Sequence, residues 1–68
     1  MLMNNNNSII KYQFLIMKKV GEDTGSHKIT EVKARNLESA IKQVQARFPS
    51  DKYDIQSYKD SNGIVHHY

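Results

Sequence analysis

Apolar and polar residues alternate along IIKYQFLIMKKV, residues 9 to 20. Ile10, Tyr12, Phe14 and Ile16 fall on one face; Lys11, Gln13, Leu15, Met17 and Lys19 fall on the other. This period of two, with its β-branched and aromatic content, predicts a strand. Its second face is unusual, because Leu15 and Met17 place apolar groups where a half-exposed strand carries polar ones. GEDTG at 21–25 reads as a turn, two glycines flanking acidic and hydroxyl residues. A second strand over His27 to Arg35 puts Thr30, Val32 and Ala34 on one face and His27, Ile29, Glu31 and Lys33 on the other. Opposed residues of an antiparallel hairpin share a face. A five-residue loop then sets Ile16 against Thr30, Phe14 against Val32 and Tyr12 against Ala34, with Met17 against Ile29 and Leu15 against Glu31 on the reverse side.

The period changes in NLESAIKQVQARFP. Leu37, Ala40, Ile41, Val44 and Phe48 recur at helical spacing and make one apolar stripe. Asn36 suits the N-cap, Glu38 and Arg47 complement the helix dipole at either end, and Glu38 and Lys42 form an i,i+4 pair. Pro49 disfavours helical geometry at Phe48 and ends the element. Tyr53 to Lys59 reads as a third strand, with Tyr53, Ile55 and Ser57 on one face. Asn62-Gly63 predicts a two-residue hairpin turn, from which Ile64 to Tyr68 returns as a fourth strand. In that pairing Ile64, His66 and Tyr68 share the face of Ile55 and Ser57.

The expected fold is α+β: a two-layer β-β-α-β-β unit, a four-stranded antiparallel sheet with one helix packed on one face. Its expected core is Ile10, Tyr12, Phe14, Ile16, Val32, Ala34, Leu37, Ile41, Val44, Phe48, Ile55 and Ile64. One helix with one apolar stripe covers one side of the sheet, so the other faces water or a partner.

Composition narrows the class. The 68-residue chain suits one small domain, here 8–68, preceded by a low-complexity, Asn-rich segment expected to be a mobile tail over 1–7. There is no Cys, so neither a disulfide nor a thiolate site is available, and a reducing cytoplasmic setting is compatible with that. The longest uninterrupted apolar run in the domain, Phe14 to Met17, is far short of the about 20 residues a span needs. The opening lacks the basic segment and long apolar core of a signal peptide. Ten Lys and Arg against seven Asp and Glu give a net charge of +3, a modest attraction to polyanions.

No catalytic constellation is present. There is no Cys nucleophile and no phosphate-cradling glycine loop. Glu22 and Asp23 lie in a turn where nothing would desolvate them for acid–base work. His66 and His67 are neighbours in a strand, so they point to opposite faces and cannot share an ion, and His27 has no ligand partner at suitable spacing. No enzyme activity, metal or cofactor is expected. Of the four tyrosines, Tyr58 beside Lys59 is the candidate for an exposed aromatic next to a cation, the arrangement that single-strand binders use. The clearest candidate surface is the face away from the helix: Leu15, Met17 and Ile29 ringed by Lys11, Lys19, Lys33 and Arg35. An apolar centre in a basic and polar rim has the anatomy of a protein interface.

In layout, KYQFLIMKKV, HKITEVKARNLESAIKQV and YDIQSYKDSNG resemble the small anti-CRISPR proteins of phages and mobile elements that act on type I surveillance complexes. The resemblance covers most of the chain. It implies a non-enzymatic inhibitor in the host cytoplasm that docks on the backbone subunits of an RNA-guided nucleoprotein complex and blocks target DNA, with rim cations also reaching nucleic acid. No functional residue carries over from such families, which share almost no motif. Two alternatives stand beside it. A small nucleic-acid-binding domain could use the same basic face, and a subunit could oligomerise through it. A membrane role is not expected.

Overall fold

The computed structural model describes residues 8–68; the expected tail over 1–7 lies outside them. Four strands and one helix follow in the expected order: β1 (Ile10–Lys18), β2 (His27–Ala34), α1 (Leu37–Arg47), β3 (Tyr53–Lys59) and β4 (Val65–His67). They form one antiparallel sheet in the order β2-β1-β3-β4, with the helix against one face. The central position of β1 follows from its composition, because it is the strand with apolar residues on both faces.

Helix α1 begins where its cap chemistry dictates. Asn36 is extended (φ −152°, ψ 172°) and its side-chain oxygen accepts the Ser39 amide at 2.8 Å. At the other end the Phe48 amide still donates to the Val44 carbonyl, and Pro49 then stops the helix. Glu38 and Lys42 do not close to an ion pair; both side chains stand in solvent. The stripe beds Ala40 and Val44 on Tyr12, Phe14, Ile16, Val32 and Ala34, all fully or almost fully buried. Ile10, Leu37, Ile41, Phe48, Tyr53, Ile55 and Tyr58 close the margins of this core. Ile64 does not belong to it: the side chain is 55% exposed.

Three pairings differ from expectation, each for a local reason. In the first hairpin Ile16 faces Lys28, Phe14 faces Thr30 and Tyr12 faces Val32, two residues away from the expected register. A two-residue slip leaves every side chain on its own face, so alternation cannot distinguish the registers. The loop decides. Gly21, Asp23 and Gly25 take positive φ, Thr24 Oγ1 donates to the Gly21 carbonyl, and the Gly25 amide and the Lys18 amide close the loop against Lys18 and Ser26 carbonyls.

The second difference is a bulge. Leu15 pairs with Ser57 but Ile16 pairs with Ile55, leaving Gln56 as an extra residue on β3. Parity therefore inverts at Gln56. Ile55 and Tyr58 both turn to the helix side, and Ser57, expected beside Ile55, turns to the other.

The third difference is the β3–β4 turn. Gly63 has φ 82° but Asn62 does not take positive φ; the loop is three residues, Ser61 to Gly63. Asp60 Oδ1 accepts the Asn62 and Ile64 amides at 2.9 and 3.1 Å, holding a tight turn that Gly63 completes in the left-handed region. The added residue shifts β4 by one, so Tyr58 meets His66 and Ser57 meets His67.

Candidate functional site

The strand pairings place Lys11, Gln13, Leu15 and Met17 on the face of the sheet away from α1. Their neighbours there are His27, Ile29, Glu31 and Lys33 from β2, Asp54, Ser57 and Lys59 from β3, and Val65 and His67 from β4. Among the described residues no helix, loop or strand lies over this face. Its middle row runs across all four strands as Ile29, Leu15, Ser57, His67. Leu15 and Met17 are half-buried because they sit on a central strand between flanking side chains, without a second layer above them. Towards the edges exposure rises: Ile29 is 71% and Val65 54% exposed.

Between these groups the face dips. Gln13, Leu15, Ile29, Ser57, Lys59 and Val65, together with Phe14 and Tyr58, line a shallow hollow of about 140 Å³. That is less than half the smallest volume usual for a small-ligand pocket, about 300 Å³. A second hollow of about 270 Å³ adjoins it, just under that threshold, sharing Gln13 and Lys59 and walled by Lys11, Glu31 and Asp60. The two hollows form one continuous shallow surface across the sheet.

Charge on this face is uneven. Lys11 lies 3.8 Å from Glu31 and Lys19 lies 3.4 Å from Asp54, both pairs well exposed and so worth little each. Lys33 and Lys59 make no ion pair among the described residues, and neither does Arg35, just past the end of β2. Five cations on or beside this face oppose three carboxylates, Glu31, Asp54 and Asp60, the last in the wall of the second hollow. The remaining five Lys and Arg oppose four Asp and Glu. Two of the chain's three net positive charges therefore sit on or beside the uncovered face.

The expected site residues separate accordingly. Lys11, Leu15, Met17, Ile29 and Lys33 share the face, Lys19 joins it through Asp54, and Arg35 stands at its end. Ile29 faces Leu15 directly, not Met17 as expected, which makes one compact apolar pair. Tyr58 is not on this face. The Gln56 bulge turns it to the helix side, where its ring lies 5.8 Å from Phe14, 6.2 Å from Tyr12 and 4.9 Å from His66. Val65, Ser57, Lys59 and His67 are members that sequence reasoning missed. A signal for Ser57 and Lys59 existed: in YDIQSYK the apolar residues at 53, 55 and 58 break strict alternation, as an extra residue would make them do; Val65 and His67 fall on this face in the expected pairing too, opposite Ile64, His66 and Tyr68.

At the β3–β4 turn, Asp60 links the open face to His66 and Tyr58 on the helix side. His66 Nε2 donates to Asp60 Oδ2 at 2.9 Å, and its ring stacks on Tyr58 at an interplanar angle of 17°. The His66 hydrogen bond and the Ile64 amide hold the Asp60 carboxyl below its ordinary value of 3.8. Burial works the other way, and the Asn62 amide and the His66 charge add to the lowering. Every Asp60 contact serves the turn or the strand that follows it, which is the work of a structural staple. Among the described residues no three His, Asp or Glu side chains converge as metal ligands, and no helix is long and apolar enough to cross a membrane.

Compared with known proteins, the chain matches no family model, no curated protein and no solved structure, so its functional reading rests on the geometry of this sheet face.

Proposed function

We propose that this is a non-catalytic binding protein that docks through the uncovered face of its sheet. The observation that carries this is the placement of Leu15, Met17, Ile29 and Val65 on a face over which the described chain lays nothing, within a lysine-rich rim. Interfaces of moderate affinity are built this way, an apolar centre surrounded by polar and charged groups. The shallowness of both hollows favours a macromolecular partner over a small substrate. The partner is a protein surface, in keeping with the resemblance to inhibitors of RNA-guided nucleoprotein complexes, and the setting proposed is the host cytoplasm.

Direct nucleic-acid binding through the same face is the weaker alternative. Sheet-face binders of single strands rely on aromatic platforms among their cations. Here the Gln56 bulge and the alternation of β1 turn Tyr58, Tyr12 and Phe14 to the helix side, leaving neither Tyr nor Phe among the strand residues of the open face. The test is affinity capture from a host lysate, with and without nuclease, using the parent chain and the folded variants Ile29→Glu and Lys33→Glu. Capture that survives nuclease and is lost in both variants is expected. Capture unchanged in both variants overturns the assignment of this face. Capture abolished by nuclease points to the nucleic-acid alternative.

A further inference from the structure

We infer that the partner segment seated on this face is acidic and carries one large apolar side chain. This rests on the docking function proposed above and specifies the chemistry of its partner. The charge distribution supplies the first half. Two of the chain's three net positive charges lie on or beside one face, where Lys33, Lys59 and Arg35 make no ion pair among the described residues. A second copy docked face to face would set this excess against itself. Like-charge juxtaposition is a strong barrier to association, whereas complementary potentials steer encounter. The occupant therefore brings negative charge.

The hollows supply the second half. Ile29, Leu15 and Val65 surround a depression of about 140 Å³, the size of one leucine or phenylalanine side chain rather than of a cofactor. Lys59 lines both this depression and its neighbour. The two carboxylates on the second hollow are already engaged, Glu31 by Lys11 and Asp60 by His66 and two turn amides. Lys59 has no such partner among the described residues. An apolar side chain entering the first hollow thus carries its flanking carboxylates toward Lys59, with Lys33 available one row further along the same end of the face, past Glu31. Bare polyanions lack the apolar group; neutral apolar peptides lack the charge.

The experiment uses fluorescence polarisation of labelled peptides with the full chain, at low and at high salt. The probes are a short peptide of Glu and Asp with one central Leu, its Leu→Ala version, a Lys-for-Glu version, and oligo(dT); vesicles of anionic phospholipid are added as competitor. The expected result is binding of the acidic Leu peptide, weakened at least about tenfold by Leu→Ala and by Ile29→Glu in the protein. Lys59→Glu also weakens it and flattens the salt dependence, the Lys-for-Glu peptide does not bind, and Lys42→Glu on the exposed side of α1 changes nothing. Equal affinity for the Leu and Ala peptides overturns the inference, as does equal loss in Lys42→Glu and Lys59→Glu. Tighter binding of oligo(dT), or full competition by vesicles, reassigns the face to nucleic acid or to membrane. If lysate capture depends on Ile29 while no acidic peptide binds, the docking function stands and this inference about its partner falls.

Discussion

Deleting Gln56 tests the feature that decides which groups the open face presents. Leu15 pairs with Ser57 and Ile16 with Ile55, so Gln56 is the residue of β3 that β1 leaves unpaired. Without it Ser57 follows Ile55 directly. Plain alternation then sets Tyr53, Ile55 and Tyr58 on the helix side and Asp54 and Ser57 on the open one, the faces they already hold. Tyr58 should therefore keep its ring contacts with Phe14, Tyr12 and His66, now at 5.8, 6.2 and 4.9 Å. Aromatic pairs contribute about 0.5–1.5 kcal/mol each beyond the burial of area, and they are not strictly additive. Tyr58→Thr should then cost about 2–4 kcal/mol in the parent and as much in the deletion. A folded chain of 68 residues has about 3–10 kcal/mol in total, so a loss of that size is easily read. Urea unfolding followed by tyrosine fluorescence measures it in both backgrounds, and the deletion alone should cost far less. In a strand without a bulge, the deletion would instead flip every residue after Ile55 and turn Tyr58 outward. A Tyr58→Thr substitution that becomes nearly neutral in the deletion therefore refutes the account of the bulge.

Other expectations are narrower. Asn36→Ala removes the acceptor of the Ser39 amide and should cost about 1 kcal/mol in urea unfolding, while Asn36→Asp should retain most of the cap. Gly63→Ala meets no atom within 4 Å, so its penalty is conformational alone, from φ 82°, and should be about 1–2 kcal/mol. Ala40 is wholly buried between α1 and the sheet, and Ala40→Leu should cost about 1–3 kcal/mol or more through overpacking, read as a lower thermal midpoint. Because folding lowers the Asp60 carboxyl, the stabilisation it brings is present above pH 3.8 and disappears as pH falls through the lower folded value. The gap in stability between the parent and Asp60→Ala should therefore close on acidification below that value. A gap that persists unchanged in strong acid would show that Asp60 acts only by packing.

The sequence by itself determined the elements, the single helix-covered side and the two-faced character of β1. These follow from local period and cap chemistry: a stripe at 3.6 spacing between Asn36 and Pro49, and alternation with Leu15 and Met17 on the wrong side for a strand wetted on one face. It also determined the side on which Lys11, Lys33 and Ile29 stand, because parity within an unbroken strand is a property of the chain. What only the tertiary structure decided was how the strands slide and where parity breaks. A slip of two residues between β1 and β2 costs the alternation nothing, so the left-handed residues of the first loop chose the register and brought Ile29 opposite Leu15. One extra residue at Gln56 sent Tyr58 to the core side and Ser57 and Lys59 to the open one; one more in the Asp60 turn reversed parity again, so His66 keeps the face of Ile55 and Val65 and His67 keep the open one. Pattern reports on neighbours two apart along one strand, whereas register is set by turn geometry and cross-strand packing acting over distances that local alternation does not sense.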